Sequence, residues 1–490
     1  MLPLVINVDE EEEEEDEAVV VVVMVFVVEE AVVVVDVDNT TPELETTASL
    51  LFLLPSSDLV EEPRRRRREE GVEDDRRKTA DFLIFSPQLK LGKMSSSPVR
   101  SPPPAPVPIR PSPTPSKDLK SDDITKSFIW SLVTRNLVPD FLLRYGIRYL
   151  LRSLVKSQDS VPLSLRIENT AAYVKDLKER PLAENTVDAN KQHYEVPVEF
   201  FEHVMGPWKK YSAGLWPEMG PSRALVPLAN VTGTYPALRN AQCSLDDSEA
   251  AALRLVCARA RLSELPPGSR VLDMGCGWGS FSLYCATYYP QLKIISVSNS
   301  STQKEYIVGE CGKRGLRNVE VITADINEFD GGLRGFDRVV SIEMMEHVKN
   351  YDLLLSRVAS WMRPGGLMFV HIFTHKHTPF HYTDGWMAEN FFTGGQMPSD
   401  DLLLFFQGDL KIVDRWIQLG SHYERTLNEW LKRMDGKKSL VMPVLEKTYG
   451  KDKALLWYVN WRLFFMSCAE LFGFNNGSEW VISHYLFEKQ

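Results

Sequence analysis

Val271-Leu272-Asp273-Met274-Gly275-Cys276-Gly277-Trp278-Gly279 decides how the rest of this chain is read. A short apolar run, Arg270 to Asp273, has strand character. It meets three glycines at alternate positions, and an apolar helical pattern then continues through Tyr288. Glycine at such a turn lets the backbone bend tightly and come close to a ligand with no side chain in the way. The helix that begins beyond the turn offers free N–H groups to a carboxylate or another polar ligand atom.

Working outward, strands and helices alternate. A helix is predicted over Asp246–Arg261, with Ser244 or Asp246 as its cap. After the glycine turn come a strand at Lys293–Ser298, a helix at Ser301–Arg314 and strands at Val319–Ala324 and Phe336–Ile342. A helix at Tyr351–Met362 and a strand at Leu367–Ile372 follow. This alternation implies an α/β fold with a mostly parallel sheet covered on both faces. Strands at Leu410–Trp416 and Glu479–Phe487, with helices at Thr426–Met434 and Ala454–Leu471, complete the domain.

The N-terminal side is different in kind. Residues 1–120 carry the acidic run Glu10 to Glu15, valine blocks, the basic run Arg64 to Arg68 and a proline-rich tract from Pro98 to Pro115. Like-charge runs and Pro/Ser-rich tracts mark a low-complexity extension that is disordered by composition. The valine blocks have strong β-propensity and could pair or aggregate. Residues 121–245 form a helical region, with two or three helices to about 178, an amphipathic piece at Pro197–Val204 and an aromatic loop containing Trp208, Tyr211 and Trp216. Residues 220–242 have prolines and no period, and read as a loop or an insertion. The α/β domain is 246–490, with an insertion at about 375–410.

The net charge of −11 argues against nucleic-acid binding as the main task. The longest apolar stretch, Ala18 to Val28, has 11 residues, against about 20 for a membrane-crossing helix. No membrane insertion is therefore expected. Six cysteines without metal spacing suit reduced thiols in a cytoplasmic protein. His371, His375, His377 and His381 invite a metal reading, but no carboxylate or cysteine partner has matching spacing, and none is expected.

A glycine turn alone is weak evidence, because dinucleotide enzymes use one at the same place. Here Asp273 lies two residues before the first glycine and the spacing is G-x-G-x-G, a form that resembles the first motif of class I methyltransferases that use S-adenosylmethionine (SAM). Many of those enzymes place an acid after the second strand. This chain has Ser298-Asn299-Ser300-Ser301-Thr302-Gln303, in which Asn299 and Gln303 still offer amides. Asp325 and Ile326 suit an adenine amino group and its face.

The resemblance becomes specific over about residues 192–490. His193-Tyr194-Glu195-Val196-Pro197, Lys210-Tyr211-Ser212, Ser341 through Tyr351, Phe392-Thr393-Gly394-Gly395, Glu429-Trp430-Leu431-Lys432-Arg433 and Gly473-Phe474-Asn475-Asn476-Gly477 stand in the expected order. Together they resemble the coclaurine N-methyltransferase and cyclopropane fatty-acid synthase superfamily. The resemblance implies a Rossmann-like fold with a segment after the fifth strand over the acceptor. It implies SAM as cofactor, held by Tyr211, Ser212, Asp273, Gly275, Gly277, Ser298, Asn299, Gln303, Asp325 and Ile326. It also implies either a small amine or a lipid as acceptor, with homodimerisation left open.

Glu343, Glu346 and His347 match the Glu-x-x-Glu-His of the N-methyltransferase arm, which favours the amine. His371 and Cys468 stand where the lipid enzymes also place histidine and cysteine. If the strand runs on into a helical turn, the i, i+3, i+4 spacing puts Glu343, Glu346 and His347 on one face. They would sit at the carboxyl end of a central strand, where open α/β sheets bind ligands. An alkylamine is mostly protonated at neutral pH, so transfer needs a base and benefits from an anionic wall. His371, Trp386 and Phe391 are expected to line the acceptor pocket.

Overall fold

A computed structural model describes residues 24–28, 31–35, 50–53, 129–184, 196–217, 243–332, 334–383 and 385–490. The segment 220–242 lies outside them. In the first of two units, ending at Ile129, the valine block Val32–Val35 is paired, and Val19–Val23 lies outside the described residues. β1 (Met24–Val28), β2 (Ala31–Val35) and β3 (Leu50–Leu53) make an antiparallel sheet in the order β1-β2-β3.

The second unit starts at Trp130. Two helices, α1 (Asp140–Asp159) and α2 (Leu163–Glu179), each follow a proline at the N-cap position, Pro139 and Pro162. A short helix α3 (Val198–Val204) comes next, again behind a proline, Pro197. α4 (Leu245–Arg259) begins with a capping box, in which Ser244 and Asp247 satisfy each other's backbone N–H groups.

The sheet then assembles from β4 (Arg270–Met274), β5 (Lys293–Ser298), β6 (Val319–Thr323), β7 (Phe336–Ile342) and β8 (Met362–His375). Helices α5 (Ser280–Tyr288), α6 (Ser301–Arg314) and α7 (Tyr351–Trp361) connect them. A two-stranded ribbon, β9 (Phe380–His381) with β10 (Gln396–Met397), brackets the short helix α8 (Gly385–Asn390). β11 (Leu410–Leu419) leads to α9 (Ser421–Gly436), α10 (Lys438–Tyr449), α11 (Lys451–Gly477) and the final strand β12 (Trp480–Lys489).

The strand order is β11-β12-β8-β7-β4-β5-β6. The five strands from β4 to β8 run parallel, and β12 and β11 are antiparallel. This is the class I SAM methyltransferase fold. Central strands such as β7, with six of its seven residues buried, are buried on both sides because helices cover both faces of the sheet. The order reverses at β4, between β7 and β5, and the crevice at that switch point is where such sheets take a ligand.

Two elements differ from expectation. α10 carries Pro443 inside it, a residue that normally ends a helix, and was therefore not foreseen. β8 starts at Met362, five residues earlier than expected, because Phe336 pairs with Met362 before an irregularity resets the register. Among the described residues no helix is long and apolar enough to cross a membrane.

Candidate functional site

The glycine turn has the backbone that its sequence demands. Gly275, Gly277 and Gly279 have φ of +80°, +52° and +77°, a region that side-chain-bearing residues enter at a cost of about 1–2 kcal/mol. Two of the glycines also make room. A Cβ on Gly275 would lie 2.6 Å from Met344 Cγ, and one on Gly279 would lie 2.7 Å from Ile307 Cγ1. A Cβ on Gly277 would meet no protein atom within 4 Å, because that side opens onto the cleft.

The cleft has about 750 Å³ of space, counting its open mouth. Six of the residues expected at the cofactor, Gly275, Gly277, Ser298, Asn299, Asp325 and Ile326, line it, and Met344 and His347 close one side. Ala183 and Glu184 approach from the end of α2. No sequence signal singled these two out; they arrive because Leu182 O accepts from Lys349 N at 2.8 Å and Asn327 Oδ1 accepts from Ala183 N at 3.1 Å. A carboxylate, an amide and an apolar side chain beside a glycine cradle fit the polar and flat parts of SAM.

Four of the expected cofactor residues do not line this cleft. Asp273 is buried, and its carboxylate accepts from Ser282 Oγ at 2.5 Å. Gln303 is wholly buried and accepts from Ser298 Oγ at 2.5 Å. Both brace the cradle from behind. Tyr211 packs against Phe201 and Trp430, and the Ser212 hydroxyl accepts from the buried Lys210 ammonium. Lys210 also donates to Ala213 O at 2.7 Å, and burial pushes it down to about 8. Its structural role was missed, because a lysine in a loop carries no sign of burial in the sequence.

Glu343, Glu346 and His347 do not share one helix face. Glu343 stands at φ +48°, in the left-handed region, and only Met345–His347 form a tight 3₁₀ turn. The three side chains consequently diverge. Glu343 Oε1 accepts from His371 Nε2 at 3.2 Å and from Ala213 N at 3.5 Å, and Oε2 accepts from Tyr423 OH at 3.2 Å. A non-glycine residue held at positive φ by several partners is a mark of functional sites.

Glu346 is fully buried. Its Oε1 accepts from Phe373 N at 2.9 Å, while Oε2 has no hydrogen-bond partner among the described residues. Burial, and then the nearby Glu343 charge, push it well above the usual carboxyl range. His347 turns toward the cleft and stacks on Phe392 with centroids 5.7 Å apart and planes 10° apart. Burial and then Lys349 hold it down to about 4, so the imidazole is neutral at physiological pH.

Beyond these residues stands an aromatic wall. Phe392 meets Phe373 and Tyr382, Phe373 meets Phe472, and Phe472 meets Tyr423. Phe391 instead turns into the core, wholly buried and stacked on Phe464 at 4.4 Å. Trp386 packs between Trp130 and Phe391. Along this segment the residue that reaches His347 is Phe392, one step on from the expected Phe391. His371, expected along the acceptor pocket, is buried beside Glu343, with its ring committed to Glu343 and His484. His375 bonds Glu479, and His381 bonds Asp176 and stacks on Tyr173.

Comparison with known proteins bears on this arrangement. Residues 182–479 match the mycolic acid cyclopropane synthetase family. The chain is 34% identical over 362 residues to (S)-coclaurine N-methyltransferase of Thalictrum flavum subsp. glaucum, covering 72% of this chain and 93% of that one. It is 32% identical to the pavine N-methyltransferase of the same plant, covering 66% of this chain and 86% of that one. The crystal structure of a coclaurine N-methyltransferase bound to N-methylheliamine and SAH superposes with a TM-score of 0.66 at 32% identity. That match covers 74% of this chain and all of the other.

Proposed function

We propose that this chain, which belongs to the mycolic acid cyclopropane synthetase family and to its coclaurine N-methyltransferase-like branch, methylates the nitrogen of a small alkaloid-like amine. It is a SAM-dependent methyltransferase, so the open question is the acceptor. One observation carries the amine reading: the Glu343 carboxylate, bonded by Tyr423 at one end of an aromatic wall, stands next to Met344, which lines the cofactor cleft. Apolar walls with a few convergent polar groups suit a small ligand. Aromatic faces and an acid together suit a cation.

When bound, SAM supplies an electrophilic methyl group on its sulfonium. The chain's own residues do the rest. Gly275, Gly277, Ser298, Asn299, Asp325 and Ile326 hold the cofactor, with Asp273 and Gln303 bracing the cradle. Glu343 faces the amine cation. His347, neutral and at the cleft, accepts the proton that the amine must lose before its lone pair is free. Glu346 fixes the β8 backbone at Phe373. The wall excludes water and aligns the nitrogen, and alignment is worth most in a direct displacement. The insertion at about 375–410 acts as the acceptor cover, a role supported by Phe392 lying on His347. Six cysteines with no disulfide support a reducing, cytoplasmic setting.

The test offers methyl-labelled SAM with a panel of cyclic amines headed by (S)-coclaurine, beside phospholipid vesicles with unsaturated chains. Label on the amine nitrogen is the expected result. Label only in the acyl chains replaces the amine reading with the lipid one. SAM binding by calorimetry with label in neither would make the chain a non-catalytic SAM binder.

A further inference from the structure

A row of side chains crosses the sheet behind Glu343. Ile342 of β7 pairs with His371 of β8, His371 with His484 of β12, and His484 with Trp416 of β11. At the far end Arg259, the last residue of α4, lays its guanidinium over the Trp416 ring, 4.8 Å from the centroid, and bonds His484 Nδ1. His484 Nε2 lies 2.9 Å from His371 Nδ1, and His371 Nε2 lies 3.2 Å from Glu343 Oε1.

Donor counting gives this row a direction. A guanidinium can only donate, so His484 Nδ1 must accept. Both imidazoles are buried, and burial keeps both neutral: it lowers His371 to about 4 and His484 well below its usual value. A neutral imidazole carries one proton. That of His484 is therefore on Nε2, donated to His371 Nδ1. That of His371 is on Nε2 in turn, donated to Glu343. A pair of buried histidines alone could run either way. Reversed, it would turn a bare nitrogen lone pair toward the Glu343 carboxylate.

We propose that Arg259 and His484 are positioning residues for methyl transfer, which act through His371 to hold Glu343 Oε1 and leave the carboxylate fixed toward the acceptor. Neither touches the cleft or the aromatic wall. The proposal rests on the reading that Glu343 faces an amine, but its first test does not.

That test is long-range proton–nitrogen NMR of the full chain labelled at histidine nitrogen, at neutral pH. His371 and His484 should both carry their proton on Nε2. A proton on Nδ1 of either ring, or two on one ring, overturns the proposal. In Arg259→Met the donor is gone, and both tautomers should appear at His371; an unchanged spectrum also overturns it. The second test compares His484→Gln with His484→Leu. Glutamine can accept from Arg259 and donate to His371, whereas leucine can do neither. With the best amine of the panel above, His484→Leu should lose kcat by about 10–100-fold, the usual effect of disturbing an orienting partner. KM for SAM should hold, and His484→Gln should recover most of the loss. Equal losses in the two variants would show that the row only staples β8 to β12, and an unchanged kcat in His484→Leu would show that it does nothing for turnover. If the wild type methylates no amine, the functional reading fails, and the tautomers still decide whether the row has this direction.

Discussion

Asp273 Oδ2 lies 2.5 Å from Ser282 Oγ, which lies 2.6 Å from Ser296 Oγ, so the acid closes a buried triad among β4, α5 and β5. Burial raises Asp273 from 3.8 to about 7, against the pull of its Ser282 bonds. A carboxyl that holds its proton more tightly folded than unfolded makes stability fall as pH rises between those two values. Asp273→Asn removes that dependence. Its Tm should gain on the wild type from pH 5 to pH 8, by the equivalent of up to about 3 kcal/mol, with SAM affinity retained. A constant Tm difference across that range would contradict the raised value.

Gly275→Val should abolish SAM binding. The backbone stands at φ +80°, and the new Cβ would meet Met344 Cγ at 2.6 Å. Gly277→Ala separates the two effects, since its Cβ meets no protein atom and projects into ligand space. It should unfold within about 2 kcal/mol of the wild type, yet bind SAH more than about tenfold more weakly by calorimetry. Full affinity in Gly277→Ala would remove the turn from the cofactor site.

Glu346→Gln and Glu346→Ala should behave differently. Glutamine keeps an oxygen for Phe373 N and carries no charge to bury. Because burial raises Glu346, its ionisation costs stability as pH rises above the unfolded carboxyl value. Glu346→Gln should therefore be at least as stable as the wild type at pH 8. Alanine strands a buried N–H and should cost about 1–3 kcal/mol. Chemical denaturation at pH 6 and pH 8 reads both, and equal losses would refute the assignment.

His347→Ala should lower turnover by about 10²–10⁴-fold if the ring accepts the amine proton. That deficit should shrink as pH approaches the amine's own value, where neutral amine is available without help. Equal loss at every pH would leave His347 as an acceptor-positioning ring. With His347 held down to about 4, the wild-type pH–rate profile should show no step near 6.5 from this residue. His347 also lines the cofactor cleft, so SAH affinity should weaken as well, by less than about tenfold.

The strand–helix alternation from Asp246 to Ile372 was legible because hydrophobic period and glycine punctuation are local properties. The cradle was legible for the same reason: Gly275, Gly277, Asn299 and Asp325 follow strand ends directly. What failed was the direction of side chains. Asp273 and Gln303 were assigned to the cofactor, but Asp273 turns inward from its strand to Ser282, and Gln303, in the first turn of α6, turns inward to Ser298; both hydroxyls come from packing. The shared face for Glu343, Glu346 and His347 assumed a continuous helix, which the positive φ of Glu343 breaks. Phe391 and Phe392 are indistinguishable in sequence, and only the position of α11 beneath them decides which one is core. The row from Arg259 to Glu343 joins residues from four elements, a relation that no local pattern encodes.

Ala183 and Glu184 were described as one wall of the cleft, and how that wall is fastened sets a clock. Besides the buried Leu182 side chain and the Lys178–Asp352 ion pair, the segment is tied down by hydrogen bonds at five points: Leu182 O to Lys349 N, both Ala183 backbone groups to the Asn327 amide, and Lys178 O and Arg180 O to Asn350 Nδ2. Each such bond is worth only about 0.5–1.5 kcal/mol net, because water can replace the partner. Together they amount to a few kcal/mol, the range of local opening rather than of unfolding. Whether this wall opens on the time scale of turnover is read by hydrogen exchange at Leu182, Ala183 and Glu184 with and without SAH: opening faster than turnover would leave chemistry to set the pace of each cycle, and slower opening would hand that role to product release.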